Sequence, residues 1–249
     1  MTAGVRIREL HEMREFADLY RLFDGIWHPE PGNPPVTLEL MKVFSHAGGY
    51  VAGAYAGEEL VGGSVGILAK DRTLHSHVTG AVIGKGVGPA LKAHQREWAL
   101  ARGLTRITWT FDPLVRRNAR FNLVKLGARP EEYLCSFYGV MADAINAGDE
   151  SDRLLAVWRL TEAAGPYSLE GAVTGLAERD GLPVTQRAEG PVVLVATPGD
   201  IETLRRADPG AGRAWRMATR EVLGGLMANG AQVTGFTDRG EYVLKVSES

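Results

Sequence analysis

The stretch Thr79–Gly103, TGAVIGKGVGPALKAHQREWALARG, places three glycines within five residues and then runs directly into a long amphipathic segment. Backbone N–H groups at the start of a helix have no helical partner and, together with the helix dipole, they attract an anion. Glycine lets the chain bend tightly and lets a ligand approach without a Cβ in the way. The stretch therefore predicts either a phosphate-binding loop at a helix N-terminus or a tight strand-to-helix turn without a ligand.

Two nucleotide-binding motifs do not fit these glycines. A dinucleotide fingerprint follows the first strand of a βαβ unit and has an acidic residue at the end of the second strand. Here the glycines follow the fourth predicted strand, and the next strand, ITWTFDP, ends differently. A P-loop needs Gly-Lys-Ser/Thr, whereas this chain has Gly-Val-Gly-Pro at 86–89, so cleavage of a nucleoside triphosphate is not expected.

Hydrophobic periodicity along the rest of the chain predicts a mixed α/β or α+β fold. The predicted order is strand, two helices, three strands, the glycine loop with its helix, strand, helix and two strands. The first two of the three strands form a hairpin around residues 56–58. Residues 161–183 read as a connector with at most one short helix. A strand, two helices and a closing hairpin around Arg239-Gly240 follow the connector.

Composition bounds the class of protein. The chain has 249 residues, 45% of them hydrophobic, and a formal net charge of -2. This is enough for a real core, and the charge gives no hint of a nucleic-acid partner. The single cysteine, Cys135, excludes an internal disulfide framework, and no Cys/His cluster has zinc-ligand spacing, so no metal is expected. No signal peptide or membrane span is visible, which favours a soluble cytoplasmic protein.

The element order and the glycine loop resemble the GNAT acyltransferase superfamily. Its loop, Arg/Gln-x-x-Gly-x-Gly/Ala, holds the pyrophosphate of acyl-coenzyme A, and Gly86-Val87-Gly88 matches the Gly-x-Gly part. The segment NARFNLVKLGA is similar to the superfamily's helix that ends in Lys-Leu-Gly. LHSH, QREWALARG and FYG extend the resemblance to a narrower group of predicted acyltransferases with a C-terminal extension.

This resemblance implies a GNAT-like central mixed sheet flanked by helices. Residues 1–160 would form the acyl-CoA-binding core. Residues 161–249 would form a helix–helix–hairpin extension that packs on the core or continues it. The extension shows no catalytic constellation, so we expect it to cover the acceptor side or to build a homodimer surface.

The glycine loop departs from the superfamily pattern. Ile83 occupies the position of the usual basic or glutamine residue, and the loop before it is shorter. Pyrophosphate binding should then rest mainly on backbone N–H groups of Val87, Gly88 and Ala90, with Lys85 close enough to supply charge. The expected cofactor-binding residues are Val82, Ile83, Gly84, Lys85, Gly86, Val87, Gly88, Ala90 and Asn118.

Direct acyl transfer to an amine needs a proton acceptor, a donor to the oxyanion and a proton for the leaving thiolate. The superfamily often takes its base from the fourth strand. His75 and His77 lie two apart on that strand and are expected to share a face. We predict His77 as the base or a substrate contact and His75 as a substrate contact; the alternative is two ordinary strand histidines.

The general acid is harder to find. The superfamily's tyrosine near the end of the last core helix is replaced by Leu123. Neighbouring Asn122 could hydrogen-bond a thiol or carbonyl but cannot act as an acid. Tyr138 is the preferred substitute and Tyr133 a second aromatic at hand, although a tyrosine in a strand is often core. A free thiol has a pKa of about 8.5, so release without a dedicated acid is the other possibility.

Acceptor recognition rests on a few side chains around the expected cleft. An arginine near the helix start could pair with a substrate carboxylate through its planar fork. The expected substrate-binding residues are Trp27, His75, Trp109, Arg117 and Tyr133.

The resemblance implies an acyl-CoA-dependent N-acyltransferase acting on a small, amino-acid-like amine. Acetyl-CoA is the superfamily's usual donor, and succinyl-CoA is the alternative, because related sequences are associated with N-succinylated amino acids. A non-catalytic scaffold on a degenerate GNAT fold stays open, as does an enzyme of different thioester chemistry such as hydrolysis.

Overall fold

The computed structural model describes residues 5–29, 33–82, 86–139 and 149–246. These residues form two compact units. Unit 1 contains Met1–Trp109 and Arg159–Thr161, and unit 2 contains Thr110–Trp158 and Glu162–Ser249. None of the helices in the described part of the chain is both long and apolar enough to cross a bilayer.

Unit 1 is built on a mixed sheet. Its strands are β1 Arg6–Glu9, β2 Tyr50–Ala56, β3 Glu59–Ala69, β4 Thr73–Ala81 and the first part of β5 Arg106–Phe111. The first four pair antiparallel in chain order, and β5 joins β4 in parallel. This confirms the predicted three-strand meander and the hairpin at residues 56–58, where Gly57 adopts a left-handed φ of 63°.

Three helices complete unit 1: α1 Met13–Trp27, α2 Leu38–His46 and α3 Val87–Ala101. Glu12 and Glu15 form a reciprocal capping box at the start of α1, and the Thr37 side chain caps α2 by accepting from the Leu40 N–H. The apolar faces of α1 and α2 pack with β2 and β3 around a buried cluster. Its members are Leu10, Phe16, Leu19, Phe23, Val36, Met41, Val51 and Val65.

Unit 2 combines a strand pair with a second mixed sheet. It begins with α4 Arg116–Arg120, which continues into a π-helical turn at Phe121–Lys125, and the strands β6 Arg129–Leu134 and β7 Arg153–Arg159 follow. The next three strands are β8 Ala172–Arg179, β9 Leu182–Thr185 and β10 Val192–Ala196. After them come α5 Ile201–Ala207, α6 Pro209–Thr219, a second π-helical turn at Arg220–Gly224, α7 Gly225–Ala228, β11 Gln232–Phe236 and β12 Glu241–Lys245. The second sheet has five strands in the order β11-β12-β10-β8-β9, with β8 and β10 parallel. The closing hairpin at Arg239-Gly240 is as predicted.

One predicted element was wrong and another was too long. Residues 161–183 were expected to form a connector, but they contain β8 and the start of β9. The segment is rich in glycine, alanine and proline, yet Gly175 lies inside β8, where a Cβ would come within 2.7 Å of Val193 on the neighbouring strand. The strand predicted after Gly127 ends at Leu134, and a turn follows it. The domain boundary predicted at residue 160 remains a prediction.

Candidate active site

The glycine stretch does open a helix. Gly86 is the N-cap of α3 with a left-handed φ of 66°, a conformation that suits glycine. Among the residues that the structure describes, none beyond the adjoining backbone comes within 4 Å of a Cβ added at Gly86 or at Gly88. The Ala90 N–H donates to the Gly86 carbonyl at 3.4 Å, which leaves Val87 and Gly88 as the N–H groups without a helical partner in α3.

Three of the predicted loop residues, Ile83, Gly84 and Lys85, lie outside the described residues. Val82, just before them, is 40% exposed. The side chain of Val87 is buried against β3, so only its backbone is suited to contact a ligand.

β4 and β5 pair over a short length only. Their parallel pairing runs from Thr73 with Arg106 to His75 with Thr108, although β4 continues to Ala81. Past His75, the β4 edge that faced β5 therefore has no partner strand among the described residues. Backbone N–H and C=O groups along such an edge are available to an extended ligand.

A β-bulge lies in β4 just beyond this point. Ser76 pairs with Gly66 and Val78 with Val65, so His77 is the extra residue in the ladder. A bulge leaves backbone groups out of the ladder and redirects the side chains that follow it.

The two histidines have different partners. Nε2 of exposed His77 donates to the carbonyl oxygen of Pro35 at 2.9 Å, because a carbonyl can only accept. The lone pair of neutral His77 is then on Nδ1. His75 is half-buried, with Nδ1 3.1 Å from Oγ1 of Thr108. Burial, then the charges of His77 and Lys92, lower the pKa of His75.

A lysine inside unit 1 is also part of this region. Lys92 on α3 is only 5% exposed, and its Nζ donates to Oγ of Ser76 at 3.0 Å and to Oε1 of Gln95 at 3.1 Å. The Trp109 ring centroid lies 4.0 Å from the same nitrogen, which places this predicted substrate residue in the interior. Nε2 of Gln95 donates to the hydroxyls of Ser64 and Ser76. Burial lowers the pKa of Lys92 to about 7.

Trp27 is at the end of α1, where its ring packs edge-on to Phe23 at a centroid distance of 5.3 Å and lies against Gly80 of β4. The structure thus places Trp27 beside the last residues of β4, before the glycine loop. Its role as a substrate contact stays a prediction.

The remaining predicted residues belong to unit 2. Arg117 on α4 is exposed and holds Glu202 with both of its terminal nitrogens. Asn118 is exposed on the same helix, whereas Asn122 and Leu123 are buried in the π-helical turn. The Arg117 guanidinium is therefore engaged by a carboxylate of the protein itself.

The two tyrosines of unit 2 differ in environment. Tyr133 donates its hydroxyl to Asp152 at 2.7 Å, and burial, followed by the Asp152 charge, raises its pKa. Tyr138 is 44% exposed in the turn after β6, with its hydroxyl 3.2 Å from Oγ1 of Thr110. Of the two, only Tyr138 presents its hydroxyl at the surface.

Comparison of this structure with solved structures finds many acetyltransferases. The ribosomal-protein-S18-alanine N-acetyltransferase of Escherichia coli superposes with a TM-score of 0.50 at 12% identity, covering 66% of this chain and 99% of that one. An N-acetyltransferase of Staphylococcus aureus Mu50 gives 0.51 at 11% identity, covering 64% and 99%. A proposed acetyltransferase of Salmonella typhimurium, solved with its cofactor acetyl-CoA, gives 0.51 at 15% identity, covering 66% and 99%.

The chain has the GNAT acetyltransferase fold. At these identities the likeness establishes the fold, and about one third of this chain has no counterpart in those structures. The sequence itself matches no protein-family model and no curated protein.

Sequence reasoning missed a buried polar cluster beside β4, formed by Ser64, Ser76, Lys92 and Gln95. No role was assigned to Lys92 or Gln95 from the sequence. The helical repeat of α3 did carry a signal, because Gln95 lies four residues after Leu91 and Lys92 lies seven residues before Ala99, so both belong to the buried face of the helix. A lysine in the apolar stripe of a helix is the feature that could have been noticed.

Proposed function

We propose that this protein is an acyl-CoA-dependent N-acyltransferase that moves an acetyl or succinyl-type group directly to the amine of a small, amino-acid-like acceptor. The observation that carries the proposal is the early end of β4–β5 pairing at His75 and Thr108, close in sequence to a helix that opens at Gly86. Pantetheine is an extended chain with two amides, so it suits an unpaired strand edge. The phosphates suit the free N–H groups of α3.

The proposed reaction begins with proton removal from the acceptor ammonium. His77 is the group we assign to accept that proton, since its Nδ1 carries the lone pair when Nε2 is bonded to Pro35. The amine nitrogen then attacks the thioester carbonyl. Backbone N–H groups freed from the ladder by the bulge at His77 are suited to donate to the developing oxyanion. The C–S bond then breaks, and the thiolate needs a proton.

Acceptor class and acyl chain rest on the resemblance rather than on a contact in the structure. Arg117 is held by Glu202, so a substrate carboxylate would have to displace that side chain to bind there. This favours acetyl-CoA as the first donor to try, with succinyl-CoA beside it.

Calorimetric titration tests whether coenzyme A binds at the start of α3. Wild type should bind acetyl-CoA or succinyl-CoA, and Gly86→Val should bind at least 10-fold more weakly, because a β-branched side chain at a left-handed φ and beside a phosphate is doubly unfavourable. Gly48→Val is the matched control, since Gly48 also has a left-handed φ, 81°, in open space but lies after α2.

Equal affinity of Gly86→Val and wild type would contradict the assigned pocket. Transfer to a broad panel of amines is measured by the release of free thiol. If acetyl-CoA binds but no amine of the panel gives thiol release, the non-catalytic scaffold is favoured. In the same assay, a His77→Gln variant that keeps the acidic limb of the pH–rate profile would remove His77 from the role of base.

A further inference from the structure

Lys92 is a buried cation without a buried anion. Its three interactions are with the hydroxyl of Ser76, the amide oxygen of Gln95 and the ring of Trp109, and no ion pair of Lys92 is found in the described part of the chain. Burying an ammonium group without a carboxylate is costly. The hydroxyl and the amide oxygen accept hydrogen bonds from Nζ and the ring lies against it, but none of these groups neutralises its charge.

The position of this cation coincides with the point where two strands separate. His75 and Thr108 form the last described pair of β4 and β5. The next residue on each strand, Ser76 and Trp109, is one that contacts Nζ of Lys92. Lys92 therefore lies where the unpaired part of the strands begins, the part that we assign to the thioester arm of the donor.

We infer that Lys92 is the general acid of the acyl transfer, giving a proton from its ammonium group to the departing sulfur. The inference rests on the proposed function. As the C–S bond breaks, its electron pair goes to sulfur, the proton of Nζ moves to that sulfur, and Lys92 becomes a neutral amine that solvent reprotonates. The acceptor's own proton leaves separately, so atoms and charge balance.

A cation without a permanent counter-ion suits this task. A carboxylate next to Lys92 would neutralise it in every state, whereas an unpaired ammonium interacts most strongly with a negative charge that appears only in the transition state. Burial brings its pKa to about 7, below the value of about 8.5 for a free thiol, so transfer of the proton to sulfur is downhill. Leu123, at the position where the superfamily has its tyrosine, has no proton to give.

The test compares wild type with Lys92→Met across pH 6 to 9.5, using acetyl-CoA, an amine that the enzyme accepts and release of free thiol as the readout. The limbs of the pH–rate profile that come from the acceptor or from the base occur in both enzymes, so they cancel in the ratio of wild-type to variant kcat/KM. The ratio should be roughly 100 at pH 6 and fall towards 1 at high pH, because deprotonated lysine is no better an acid than methionine. The midpoint of this fall should lie near pH 7.

Three variants exclude other causes of the fall. Lys42→Met changes an exposed lysine of the same unit, and its ratio should stay near 1 at every pH. Lys92→Arg keeps a positive charge but holds its proton, so it should remain as slow as Lys92→Met. Besides burial, the charges of His77 and Lys92 both lower the pKa of His75, so a His75→Gln variant tests whether that histidine causes the fall, and it should retain the fall.

A flat ratio in an enzyme that transfers acetyl groups would overturn the role of Lys92 and leave the proposed function intact, whereas lack of acetyl-CoA binding would overturn the function. Recovery of activity in Lys92→Arg would show a purely electrostatic role. A measurement on wild type alone guards against misfolded variants: NMR of ¹⁵N-labelled lysine should show Nζ of Lys92 titrating near neutral pH and responding to bound coenzyme A. A lysine that titrates near 10 and ignores the ligand contradicts the inference.

Discussion

The two units bury positive charge in opposite ways. In unit 2, Arg216 makes a two-pronged bond to Asp112 at 3.0 and 2.9 Å, and Arg205 bonds to the same carboxylate at 2.8 Å. Asp149 lies 3.1 Å from both guanidinium groups. In the described part of unit 1, the groups that contact Nζ of Lys92 are a hydroxyl, an amide and an indole ring.

The difference separates a charge that is fixed from one that can change. Burial alone would favour neutral Asp112, but Arg216, Arg205 and Arg153 outweigh it and hold the pKa of that carboxyl well below its usual range. Arginine does not lose its proton in proteins, so this cluster stays charged at every working pH. The pKa of Lys92, near neutrality, lets its charge come and go. The first arrangement holds structure together, and the second suits chemistry.

Truncation of the chain should have the largest effect, because it removes the arginines that hold the buried carboxylate of unit 2. A chain ending at Leu160 keeps Asp112 but loses Arg205 and Arg216, together with the whole five-stranded sheet of unit 2. We expect residues 1–160 and residues 161–249, expressed separately, to aggregate or to lack a cooperative melt. The intact chain, heated alongside, is the control. Independent cooperative melting of both pieces would support the boundary at residue 160 as a true domain boundary.

Asp112→Asn should have the next largest effect. It replaces the shared carboxylate by an amide and leaves Asp149 as the carboxylate beside the two buried guanidinium groups, which should lower the free energy of unfolding by about 3–5 kcal/mol. Glu202→Gln is the control, because it removes the partner of exposed Arg117 and should cost less than about 1 kcal/mol. Urea unfolding of both variants measures the two values. Similar losses in the two variants would mean that burial does not distinguish the pairs.

The smallest expected effect is the loss of stability caused by burying the ammonium group of Lys92. Its folded pKa of about 7 is below the unfolded value of about 10.4, so the unfolded chain binds the extra proton between these limits. Stability should therefore rise with pH through this window, by about 2–3 kcal/mol between pH 7 and 9 relative to Lys92→Met. Urea unfolding at several pH values, with Lys42→Met as control, measures the difference. An identical pH dependence in Lys92→Met and wild type speaks against a lowered pKa.

Much of unit 1 was predictable because its elements are local. The first two strands of the meander from Tyr50 to Ala81 are apolar runs joined by a turn at Gly57, and α3 follows three closely spaced glycines. β8 forms a hairpin with β9 through Asp180-Gly181 and also pairs with β10, but it was missed because Gly175 is required by Val193 of β10 rather than by a turn. Close packing between distant strands leaves little trace in local composition.

The candidate site was predictable in its chemistry but less so in its neighbours. Sequence reasoning placed His77 on the fourth strand, where the structure has it, yet gave no hint that Pro35 holds its Nε2. Arg117 was singled out for a substrate carboxylate, and its partner proved to be Glu202, 85 residues along the chain. Such partners come from tertiary structure, which a single sequence does not display.

The bulge at His77 has a consequence for how this gene can change. Because His77 is the extra residue of β4, its loss would leave Ser76 opposite Gly66 and Val78 opposite Val65, so the later residues of β4 would keep their partners on β3 and their sides of the sheet. In evolutionary terms, the single codon for His77 is one that β4 can lose without a change of register, and the loss would remove the imidazole that we assign as the base.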